Sequence, residues 1–270
     1  MIGTRSPSPI SLEDAVHDYV TQKNTPFTTD EALPDIVDRM AAPPSDAWTA
    51  VDDELEASDC VFYDEETDHY IPRSRFFQGA QFLIAPQPEE IEASILIPGH
   101  RFMPFLARDV FPATCQLLIN DEPPIQTRLV HKPILDLLIY LSFYGQHGAL
   151  QYLTADQDSN NDVMRRDLND NPEFAVTVFD MTDVYARYAV KPGDTFLCTV
   201  KNWTLGIYEL EHIPNEPQML EFRMQKWITD FESAMLQMWE EGDYPPDIYA
   251  QLSEALFIGP KSLCDRPPLH

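Results

Sequence analysis

The hydrophobic period of this chain changes twice, and that change limits the fold more than any single motif does. Up to about residue 60 apolar side chains recur at helical spacing. Leu12, Ala15, Val16, Tyr19 and Val20 form one stripe, Leu33, Ile36, Val37 and Met40 a second, and Trp48, Val51 and Leu55, with Ala47, a third. Between residues 76 and 212 short β-prone runs alternate with turns rich in Pro, Asn and Asp. After Pro217 the helical period returns through Met219, Leu220, Met224, Trp227, Ile228, Phe231, Met235, Met238 and Trp239, then Ile248, Leu252, Leu256 and Phe257. Segregated helices and strands in that order predict an α+β protein. Three stretches follow: 1–75, mostly helical with a β-hairpin; 76–217, an antiparallel β unit with an inserted helix; and 218–270, helices packing back on the β unit.

Within the first stretch Ser11 reads as an N-cap with Asp14 at the third helical position, and Thr28 or Thr29 caps the second helix. Pro43, Pro44 and Ser45 open the third, with Trp48 facing inward. Two β-prone runs, 60–63 and 69–72, flank the polar tip Asp64, Glu65, Glu66, Thr67 and Asp68. Three short helices followed by a hairpin resemble a winged-helix domain. The resemblance implies a transcription-associated protein whose third helix approaches DNA.

Charge argues against that use. The chain carries −27, and residues 1–75 hold 5 basic against 17 acidic side chains, a net of −12. The third helix has no basic residue, whereas phosphate contacts normally come from Lys and Arg. Only Arg73 and Arg75 stand near enough in sequence to touch a backbone. An acidic surface of this kind repels nucleic acid and suits a basic protein partner.

In the middle stretch the spacing predicts strands at 80–85, 94–97, 101–106, 115–119, 125–131, 174–180, 195–201 and 206–212, with a buried helix over 133–144. Many short strands broken by such turns suggest one curled antiparallel sheet or a partly open barrel. The chain lacks a GxSxG elbow, a P-loop and a GxGxxG turn, and its nine glycines leave little material for phosphate-cradling loops. If an enzymatic site exists, it is assembled from distant residues, with His100, Arg101, His131 and His147 as the candidates. Imidazole titrates near neutral pH and serves as a general base where a carboxylate orients it.

One segment has metal-ligand spacing. Asp156, Asp158, Asn160 and Asp162 supply oxygens at alternate positions, and Asp167 closes the run. This resembles an EF-hand calcium loop, in which alternate oxygens converge on a hard cation. Asn161 stands where the motif has glycine and Asp167 where it has glutamate; a solvated acidic loop is the competing reading. No other cofactor is expected. The four cysteines, Cys60, Cys115, Cys198 and Cys264, are scattered singly, which fits a reducing, cytoplasmic setting. The longest apolar run, 134–144, contains Asp136 and is too short to cross a bilayer. These features favour a non-enzymatic acidic interaction or regulatory protein that holds a basic protein or a second copy of itself; the Met-rich stripe of the last long helix reads first as core, with a partner or self-association face as the alternative.

Overall fold

The computed structural model describes residues 10–40, 42–120, 122–133, 158, 165, 173–215, 217–242, 245 and 247–265. The protein is α+β, and the chain divides into two compact units, Met1–Gln78 and Gly79–His270.

The first unit runs α1 (Leu12–Gln22), α2 (Thr29–Val37), α3 (Ala47–Glu56), β1 (Val61–Asp64), β2 (His69–Pro72) and the short α4 (Arg73–Phe76). Its helices start where capping chemistry is present. Asp14 N donates to Ser11 Oγ at 3.1 Å ahead of α1. At α2 a capping box closes both ways: Glu31 N donates to Thr28 Oγ1 at 3.3 Å, and Thr28 N to Glu31 Oε2 at 3.2 Å. Asp46, not Ser45, caps α3, its carboxylate accepting from Thr49 N at 3.3 Å. The three apolar stripes meet in one core built on Val16, Tyr19, Val20, Phe27, Ala32, Ile36, Val51 and Leu55, with Val61 and Tyr70 from the hairpin. Burying each of the larger of these contributes about 1.5–3 kcal/mol. Phe27 and Tyr70 exchange two backbone hydrogen bonds of 3.0 and 2.8 Å, so the α1–α2 connection adds a bridge to the hairpin.

Trp48 departs from the sequence reading. It lies 45% exposed instead of inside. The packed stripe of α3 is Val51 and Leu55 alone. Trp48 sits one turn earlier, beyond the edge of the core.

Among the described residues the second unit holds two sheets. Its elements are β3 (Gln81–Ile84), α5 (Pro88–Ala93), β4 (Ile95–Leu96), β5 (Gln116–Leu118), β6 (Thr127–Pro133), β7 (Glu173–Asp180), α6 (Thr182–Tyr188), β8 (Thr195–Asn202), β9 (Ile207–Ile213), α7 (Pro217–Glu241) and α8 (Ile248–Ile258). One sheet has the order β3-β8-β9-β5, the other β4-β7-β6. Every pairing is antiparallel except β5 with β9, which is parallel. The β8–β9 hairpin turns at Gly206, whose φ of +62° suits glycine, and an added Cβ there would lie 2.9 Å from Cys115 Sγ.

Within the expected α+β class, the described strands, read as a curled sheet or partly open barrel, divide between two sheets. The strand expected at 101–106 does not form. That stretch begins as a 3-10 turn, Gly99–Phe102, and continues as irregular, buried backbone. Its carbonyls are met by side chains in place of a neighbouring strand. Trp203 Nε1 donates to Pro104 O at 3.0 Å, Tyr208 OH to Phe105 O at 2.9 Å, and Tyr249 OH to Leu106 O at 2.9 Å. Buried carbonyls must be paired, and three aromatic donors pair these. The helix expected over 133–144 lies outside the described residues from 134 onward, and Pro133 itself ends β6. Pro88, Glu89 and Glu90 form the first turn of α5.

Candidate protein-binding face

In the first unit, the N-terminus of α2, the outer side of α3 and the hairpin share a strip of carboxylates and aromatic rings. Asp52 is its anchor. It accepts from Thr29 Oγ1 at the start of α2 and from Tyr70 OH on β2 at 3.0 Å, joining three elements. Tyr70 and Tyr63 are direct cross-strand partners, and their rings lie 5.1 Å apart. Tyr63 OH donates to Asp68 at 2.7 Å, and this bond, with the nearby Asp68 and Asp52 charges, pushes the phenol up to about 12. Burial first, and the Asp52 carboxylate second, push Tyr70 up as well. Both phenols therefore stay protonated donors at neutral pH. One turn before Asp52 on α3, Trp48 Nε1 donates to Asp30 at 2.8 Å.

Each ring is thus held at its polar end by a carboxylate while a large part of the side chain remains exposed. Trp48 is 45% and Tyr63 41% exposed. Around them the charge has one sign: residues 28–72 contain 14 Asp and Glu against the single base Arg39. Exposed aromatic faces bordered by carboxylates suit Lys or Arg side chains, which gain from both the ring quadrupole and the charge.

The candidates from the sequence stand elsewhere. Arg101 is 4% exposed and locked in an ion pair with Glu90, which is 2% exposed, at 2.7 and 3.1 Å. It also donates to Ala85 O at 3.1 Å and to Ile97 O. His100 precedes it in the 3-10 turn, but its side chain lies outside the description. His131 is exposed on β6, opposite Ala175 of β7. His147, Asp156, Asn160, Asp162 and Asp167 fall outside the described residues, and Asp158 is described only as an exposed residue. Among the described residues no group of three or more His, Cys, Asp or Glu side chains could hold a metal ion.

A histidine that the sequence did not single out does meet a carboxylate. His212 Nε2 on β9 lies 3.1 Å from Asp194 Oδ2. Asp194 also accepts from Lys191 N and Asn215 N, both at 3.0 Å. Burial opposes ionisation there, but these hydrogen bonds win and hold the carboxyl below its ordinary value. Rings of Tyr188 and Phe196, 5.0 and 5.6 Å away, flank the imidazole. Asp194 and His212 stand 18 residues apart, and no local pattern joins them.

No helix among the described residues is long and apolar enough to cross a membrane. Compared with protein-family models, with curated proteins and with solved structures, the chain matches none.

Proposed function

We propose that this is a non-enzymatic, cytoplasmic interaction protein whose winged-helix-like first unit holds a Lys/Arg-rich segment of a partner protein. The observation that carries the reading is the pair of exposed rings, Trp48 and Tyr63, each fixed by a carboxylate on a face with almost no positive charge. Basic side chains would stack on the rings and sit among Asp30, Asp52 and Asp68. The same field repels phosphate, which favours protein over nucleic acid as the partner.

The test is fluorescence anisotropy of a labelled Lys/Arg-rich peptide against the full chain at low and moderate salt. Saturable binding that weakens with salt is expected, with an acidic control peptide inert. Trp48→Ala should loosen it by about 0.5–2 kcal/mol, roughly 2- to 30-fold in Kd. Absence of binding at low salt, or unchanged affinity in Trp48→Ala, would overturn the reading. Salt-sensitive binding of duplex DNA in place of the peptide would favour a transcription-associated role.

A further inference from the structure

Three of the four cysteines have surroundings that suppress thiol chemistry. Cys115 and Cys198 are 4% and 0% exposed, and burial pushes both thiols up, Cys115 to about 12. Cys264 is half-buried after α8, and burial pushes it up to about 12 as well. A thiol this far above neutral pH offers almost no thiolate.

Cys60 differs. It is half-buried ahead of β1, and its Sγ lies 3.7 Å from His17 Nδ1 on the exposed side of α1. The contact is placed by the fold on both sides. Val16 and Val20 anchor α1 in the core, which fixes the direction of the intervening His17. Cys60 packs against the same core, its N–H donates to Ser58 Oγ at 3.2 Å, and its carbonyl accepts from Arg73 N at 2.8 Å.

We propose that Cys60 and His17 form a reactive thiol–imidazole pair, a site of mixed-disulfide formation with low-molecular-weight disulfides. His17 Nδ1 takes the proton from Cys60 Sγ. The thiolate attacks one sulfur of the disulfide, a bond forms between Cys60 and that sulfur, and the original S–S bond breaks. The departing thiolate carries away the electron pair and takes the proton from the imidazolium. Cysteine is oxidised, the small disulfide is the oxidant, and His17 returns to its starting state. The imidazole is needed because the first 75 residues carry a net charge of −12, which disfavours a thiolate lacking a cation beside it.

The experiment treats the full chain with glutathione disulfide at neutral pH, quenches with acid and maps the adducts by peptide mass spectrometry over time. Cys60 should be modified about tenfold faster than Cys264, and His17→Gln should slow Cys60 about fivefold while leaving Cys264 unchanged. A thiol that is merely packed against a ring would react at one rate in both proteins. Equal rates at Cys60 and Cys264, or no response to His17→Gln, would overturn the proposal. Repeating the wild-type measurement in denaturant supplies a check independent of the variant's folding. The preference for Cys60 must vanish there, and a preference that survives would trace to local sequence and also refute the pair.

Discussion

Replacing Arg101 with methionine tests whether the second unit depends on a buried charge pair. Glu90 accepts four hydrogen bonds: from Gln87 N at 2.8 Å, Ile97 N at 2.7 Å, and two from Arg101 at 3.1 and 2.7 Å. Both side chains are at most 3% exposed, so water cannot replace the guanidinium. Methionine fills similar volume, but Glu90 keeps only its two backbone donors and faces an uncompensated burial. Breaking such a pair from one side costs about 3–5 kcal/mol. For a unit of this size each kcal/mol shifts Tm by about 2–4 °C, so the variant should melt roughly 6–20 °C lower. The double variant Arg101→Met with Glu90→Gln should regain part of the loss, because the orphaned charge is gone. Thermal unfolding followed by near-ultraviolet circular dichroism measures all three proteins. A single variant within about 1 kcal/mol of wild type, or a double variant no better than the single one, would refute the reasoning.

Three further variants probe other links. Asp194→Asn should destabilise most at neutral pH. Asp194 sits below its ordinary 3.8 when folded, so its contribution is complete above that value and is lost as pH falls through the folded pKa; urea titrations across pH 2–7 should show the two proteins converging at the acid end. Tyr208→Phe removes the hydroxyl that donates to the Phe105 carbonyl and should cost about 0.5–1.5 kcal/mol in chemical denaturation. Thr28→Ala removes the α2 cap and should cost the first unit about 1 kcal/mol, read from its thermal transition.

What could be read from the sequence is the chemistry that acts over three or four residues. Ser11 and Thr28 announce their helices because the capping oxygen and the N–H it satisfies are near neighbours. Partner choice was not legible. Nothing local says that β5 runs parallel beside β9, or that β4, β6 and β7 leave to make a second sheet. The 101–106 stretch looked like a strand because it is apolar throughout, yet its hydrogen-bond partners are side chains about 100 to 143 residues away. Trp48 shares a helical face with Val51 and Leu55, and only the end of the core, one turn short of it, turns the ring outward. The candidate face was half legible: its charge is plain in composition, whereas the meeting of Asp52, Tyr70 and Tyr63 requires the hairpin to close over α3.

The three aromatic donors that hold the buried carbonyls of residues 104–106 also set an order of events on the ribosome. Pro104, Phe105 and Leu106 leave the exit tunnel long before Trp203 and Tyr208, and Tyr249 follows last, 143 residues behind its acceptor. At about 5–20 residues per second that last interval lasts roughly 7–30 s. Throughout it the nascent second unit must carry an apolar stretch whose carbonyls still belong to water. Its folding therefore waits for synthesis to pass Tyr249, and products that stop short of that residue present the stretch to chaperones and proteases.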